Sequence, residues 1–190
     1  MAFAETPELV GALVRLRSPL PADVERLHDL MADPEVSILT GSTHSSAADP
    51  AVAWSVTHLQ RIYQGWAADR DRHVWAIVER VTDAVVGEVV LLDLDEGNRS
   101  CGFRIWISGS TGRGLGTEAT RLALRHAFAV EALNRVQLEV YAFNPRARHV
   151  YEKAGFVHEG TMRQALRFDD GWVDAHLMAV LAADWTAAQE

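Results

Sequence analysis

Apolar residues recur along this chain with two periods, and the switches between them mark out the elements. Residues 13–16 (LVRL) read as a short first strand. Residues 21–31 carry Ala22, Val24, Leu27, Leu30 and Met31 at helical spacing, and 50–64 reads as a second helix. Residues 74–79 and 85–92 read as two strands joined by a turn at Thr82 and Asp83. Residues 103–107 form a further strand, almost wholly apolar and so expected at the centre of a sheet. A helix is predicted over 114–131, with Leu115, Ala119, Leu122, His126 and Val130 on one face. A strand over 135–143 and a helix over 145–154 follow. Residues 165–168 and 172–180 flank Asp169, Asp170 and Gly171 as a hairpin. Residues 38–50, rich in Ser, Thr, Ala and Gly, are expected as a loop. Hairpins at both ends with two strand–helix units between them predict one domain over 1–190. Its class is α/β (α+β), a mixed, mostly antiparallel sheet flanked by helices.

Composition narrows the setting. With 190 residues, 48% hydrophobic and 23% charged, the chain can bury its own core without staples. No run approaches the ~18 apolar residues of a membrane span. The opening MAFAETPELV lacks the basic and apolar regions of a signal peptide. The single cysteine, Cys101, cannot pair internally. Together these lead to the expectation of a cytoplasmic protein with no membrane partner. The net charge of −8 argues against a nucleic-acid partner. It suits either a cationic, amine-bearing partner or simply a solubilising surface. Six tryptophans fit core packing or a homodimer interface. The histidines and the cysteine show no Cys-x-x-Cys or His-Glu-x-x-His spacing, so no metal is expected.

Two segments carry candidate chemistry. In the first, the apolar strand ends at Ile107, and Gly112, Gly114 and Gly116 then open a helix. Glycines let a ligand approach the backbone, and unpartnered N–H groups at a helix start form an anion site. The spacing is neither that of a P-loop nor of a dinucleotide fold. In the second, Asn144 suits an N-cap, Pro145 the first helical position and Gly155 the residue past the end. Arg146, Arg148 and Lys153 make this helix basic. With Arg113 they suit a polyanionic ligand, or else form a solvated face.

Together these segments resemble the GCN5-related N-acetyltransferase (GNAT) superfamily. The stretch from Thr111 to Gly116 resembles its acyl-CoA loop, with Thr111 where Gln or Arg is usual and Arg113 placed to supply the charge. Asn144, Ala147, Tyr151, Gly155 and Phe156 fit the motif that follows it. The opening and closing segments resemble the ribosomal-protein (RimJ/RimL) branch, which also holds spermidine and lysine acyltransferases. The resemblance implies a sheet splayed between the strands at 103–107 and 135–143. It implies transfer of an acetyl group from acetyl-CoA, without a metal, directly to a primary amine: a small amine, a lysine or a protein N-terminus. On this reading Trp106, Ile107 and Ser108 pair with the pantetheine arm. The backbone of Gly112, Arg113, Gly114, Leu115, Gly116 and Thr117 holds the pyrophosphate. Asn144, with Arg146, Arg148 and Lys153, completes the cofactor site. Tyr151 would protonate the leaving thiolate. Glu88 is the candidate base, with Asp93 and Glu139 on nearby strands. Strand alternation sets Glu88 and Asp93 on opposite faces unless a bulge intervenes. Trp172, Asp174 and His176 are candidates for the acceptor pocket. The alternatives are another donor such as succinyl-CoA, or a CoA-binding sensor or scaffold without catalysis.

Overall fold

The computed structural model describes residues 2–3, 5–47, 54–109 and 112–187. In chain order its elements are β1 (Leu9–Val10), β2 (Val14–Arg17), α1 (Asp23–Met31), α2 (Pro34–Leu39), α3 (Val56–Ala68), β3 (His73–Glu79), β4 (Ala84–Asp95), β5 (Ser100–Ile107), α4 (Leu115–Ala129), β6 (Arg135–Tyr141), α5 (Pro145–Lys153), β7 (Val157–Phe168), β8 (Gly171–Leu181) and α6 (Ala182–Ala187). The strands form one sheet in the order β1-β2-β3-β4-β5-β6-β8-β7. Every neighbouring pair is antiparallel except β5 and β6. No helix among the described residues is long and apolar enough to cross a membrane.

Helices cover both faces of the sheet, and β3 shows why its sequence lacks alternation. All seven of its residues are buried. Val74, Ala76 and Val78 pack with α1, α2 and α3 through Val24, Leu27, Val36 and Leu59. Trp75 and Ile77 join the other core, with Leu115, Ala119 and Leu122 of α4. A strand buried on both faces reads as a near-continuous apolar run, here from Val74 to Val78. The predicted face of α4 is buried as far as His126, whereas Val130 lies past the helix end and is exposed.

β5 and β6 pair only at Ser100↔Arg135, Cys101↔Val136 and Gly102↔Gln137. Beyond Gly102, β5 stays with β4 as far as Ile107, and β6 stays with β8 as far as Tyr141. The sheet therefore parts between them.

Three expectations change. Part of the predicted loop over 38–50 is helix, because α2 runs to Leu39; Asp33 caps it by accepting from the Glu35 amide. Residues 48–53, where the second helix was expected to start, lie outside the described residues. The observed α3 is capped by Ser55, whose Oγ accepts from the His58 amide. The strand expected over 165–168 begins at Val157, since its outer face is polar and exposed and carries no hydrophobic signal.

One carboxylate ties the chain start to the site. Glu118, in the first turn of α4, accepts from the amides of Ala12, Leu13 and Val14 at 2.9, 2.6 and 2.8 Å. Glu118→Ala leaves three donors to water, and the expected loss is about 2 kcal/mol of stability. Thermal and urea unfolding measure it as a fall in Tm of about 4–8 °C. An unchanged Tm would mean that the turn holds without this carboxylate.

Candidate functional site

Where β5 and β6 part, a cavity of about 980 Å³ opens between them. Residues 102–107 of β5 and Leu138, Glu139, Val140 and Tyr141 of β6 form its two walls. The start of α4 and one side of α5 close one face, and Glu35, Val36, Leu39 and Thr40 of α2 and the turn after it contribute from another.

The mouth is built by the glycine loop. Gly112 and Gly114 hold φ of 78° and 81°, a left-handed conformation that a side chain strains, and Gly114 is the residue that opens α4. The first i to i−4 bond of the helix runs from the Glu118 amide to the Gly114 carbonyl. The amides of Leu115, Gly116 and Thr117 precede it and have no partner within the helix; these residues line the cavity. Ser110 and Thr111, including the departure from the family loop, lie outside the described residues.

α5 is set as its sequence suggests. The Asn144 side-chain oxygen accepts from the Ala147 amide at 3.0 Å, and Pro145 occupies the first turn. Asn144 Nδ2 also donates to the Leu39 carbonyl at 3.4 Å, joining α5 to the end of α2. Tyr151 is buried against Phe103 and Phe156, with ring centroids 6.2 and 5.8 Å apart, and lines the cavity. Its hydroxyl takes no hydrogen bond from the described residues. No fully buried side-chain polar atom among them lacks a partner, so this hydroxyl is open to the cavity. Burial pushes its pKa up, which keeps it protonated and able to donate.

Of the expected site residues, Trp106, Ile107, Gly112, Gly114, Leu115, Gly116, Thr117, Asn144, Arg146, Tyr151 and Lys153 line this one cavity. Four do not. Ser108 is buried and donates to Asp33 at 2.6 Å. Arg113 pairs with Glu79 at 2.6 Å, and Arg148 with Glu152 one helical turn on. Glu88 is 2% exposed, on the sheet face covered by α1 and α3. It accepts from the Tyr63 hydroxyl at 2.5 Å and from Arg104 at 3.1 Å. Arg104 lines the cavity and Glu88 stands behind it, so the carboxylate expected to meet the amine is engaged elsewhere. Asp93 and Glu139 do line the cavity. Asp93 reaches it at the register shift between Leu92 and Asp95, with φ of 54°. Trp172, Asp174 and His176 lie outside it: Asp174 accepts from the Gln164 amide, and His176 contacts Thr161.

Several lining residues had no signal in the sequence. Glu35 comes from the unpredicted α2 and pairs with Arg146 at 2.8 Å. Glu159 comes from the unpredicted start of β7 and pairs with Arg135 at 2.5 Å. His149 is on α5. Its place three residues from Arg146 and four from Lys153 put it within reach of the same helix side.

Fold and cleft together are those of an acetyltransferase. The chain belongs to the acetyltransferase (GNAT) domain family, whose model matches residues 14–157. It is 29% identical over 115 residues to the spermidine N(1)-acetyltransferase of Vibrio cholerae, a match covering 60% of this chain and 66% of that one. It is 26% identical over 186 residues to YdaF of Bacillus subtilis, named as a candidate ribosomal N-acetyltransferase, covering 93% and 95%. Its fold matches that of the Vibrio cholerae spermidine N-acetyltransferase crystallised with CoA and spermine. The TM-score is 0.81 at 22% identity, over 93% of this chain and 99% of that one.

A substitution separates crowding at the mouth from damage to the fold. Gly116 lies in the helix with ordinary φ, and an added Cβ meets only Ile107 Cδ1 at 3.6 Å. Gly116→Val is therefore expected to fold, with Tm within a few degrees of wild type, and to bind CoA at least about tenfold more weakly by calorimetry. Unchanged affinity would place any CoA elsewhere.

Proposed function

We propose that the protein transfers an acetyl group from acetyl-CoA to a primary amine of a small cationic molecule. The observation that carries this reading is the parting of β5 and β6 beside the free amides of α4, with the Tyr151 hydroxyl facing the gap. The residues present suit CoA. Amides at a helix start, under left-handed glycines, receive a pyrophosphate. The separated edges of β5 and β6 carry backbone groups that an amide-bearing arm can satisfy. Lys153 adds positive charge to the lining, and Arg146 brings its guanidinium there in a pair with Glu35.

Bound there, a CoA thioester supplies the activated acetyl group. The chain supplies position and proton control. N–H groups on the β5 edge are placed to stabilise negative charge developing on the acyl oxygen. Tyr151 gives its proton to the departing sulfur and is restored from solvent. The attacking amine must be neutral, and the lining carboxylates Asp93 and Glu139 carry no ion pair among the described residues. They are the groups we assign to attracting the ammonium and passing its proton to water. Glu88 orients Arg104 and Tyr63 and does not itself meet the amine. The acidic balance of the chain points the same way, as does the spermidine-acetylating relative. The kinship with YdaF keeps a RimJ/RimL-type protein N-terminus as the second acceptor class.

Two measurements test this. Thiol release from acetyl-CoA should depend on a polyamine, and exceed that with lysine or ribosomal N-terminal peptides by at least about tenfold in kcat/KM. A peptide preference would move the assignment to the protein acceptor. Tyr151→Phe should retain CoA affinity and lose about 10²-fold in kcat, the low end for a general acid because a thiolate leaves readily. Equal turnover would remove Tyr151 from the chemistry.

A further inference from the structure

Away from the cleft, three side chains from different segments converge inside the core. His73 begins β3, His126 lies in the last turn of α4, and Glu131 follows that helix. They are 0%, 4% and 6% exposed. His73 Nε2 lies 2.9 Å from Glu131 Oε1, His126 Nε2 lies 3.1 Å from the same oxygen, and the two Nε2 atoms are 3.3 Å apart. Both imidazoles therefore aim the same nitrogen at one carboxylate oxygen and at each other.

We propose that His73, His126 and Glu131 bind one divalent cation of the zinc type, as a structural site separate from the acyl-transfer cleft. Three arguments support it. The first is shape. A tetrahedral ion with bonds of ~2.05 Å sets its ligands ~3.3 Å apart; two of the observed edges need to open by only a few tenths of an ångström, and the third already fits. A bound ion takes the place of the Nε2 protons, which pass to solvent. The second is the donor set. Two imidazoles and a carboxylate suit zinc, and a water can complete the four on the side of the second Glu131 oxygen, which takes no hydrogen bond from the described residues and is not sealed off. The third is the surround. Thr6 Oγ1 lies 3.1 Å from His73 Nδ1, where it can fix the ring with Nε2 turned inward. The His126 carbonyl accepts from the amides of Val130 and Glu131, so the ion sits at the negative end of α4. Such an ion would clamp the C-terminal end of the helix whose first turn forms the cleft's mouth. The spacing of 53 residues between the histidines explains why no metal was expected from the sequence.

The test uses full-length protein without a histidine tag, stripped with a chelator and dialysed. Cobalt(II) is expected to bind at one ion per chain with the visible bands of a four-coordinate site. Zinc at a hundredfold excess over its Kd is expected to raise Tm by about 5 °C or more. Glu131→Gln and His126→Gln should each lose the bands and the shift, while His158→Gln, at an exposed histidine, keeps both. If the two core variants do not fold, metal content and the cobalt spectrum of wild type decide. Absence of bound metal, bands of a six-coordinate ion, or binding that survives in folded Glu131→Gln would overturn the proposal and leave a hydrogen-bonded cluster only.

Discussion

Past Gly102 and Gln137, β5 and β6 no longer share hydrogen bonds, so two strand edges face each other across a gap. An unpaired backbone edge inside a sheet is costly unless water or a ligand satisfies it. The rest of the site is arranged around that constraint. The parallel pair needs a crossover, and the crossover is α4. Its N-terminus emerges beside the top of β5 and leaves three amides at the mouth of the gap. α5 leaves the top of β6 in the same way and brings Tyr151 and Lys153 to the other side. The capping of α5 by Asn144 and the pinning of α4 by Glu118 hold both walls in place.

Much of this architecture was legible in the sequence, for physical reasons. Apolar periodicity located α1, α4, α5 and the strands buried on both faces. Asn144-Pro145 and Gly155 marked both ends of α5 because caps need those residue types. What was hidden lacked local signals. α2 has six residues, too few for a period to show, although Asp33-Pro34 is a helix-start signal. The start of β7 is polar and exposed on the sheet's edge.

The site was legible in part. Residues in the two motifs mostly converge on one cavity because their helices begin where the strands part. Glu88 shows what strand alternation alone leaves open. Alternation set it on a face, but only the packing of α3 reveals that this face is covered and that Tyr63 and Arg104 occupy the carboxylate. The register shift that turns Asp93 into the cleft depends on a positive φ that no pattern of apolar residues encodes. The cluster of His73, His126 and Glu131 joins β3 to the end of α4, a meeting that exists only once the sheet is covered.

The split sheet also bears on how the molecule avoids its own kind. Exposed strand edges invite pairing between chains and so aggregation. Here the two edges left open for a ligand lie inside the sheet, with the start of α4 and one side of α5 beside them, and not along its borders. The outer edges are guarded differently. β1 is two residues long, and β7 is mostly polar and broken by register shifts, with Gln164 at positive φ. An opening in the middle of the sheet thus gives the chain accessible backbone for recognition without lengthening the borders at which copies could stack.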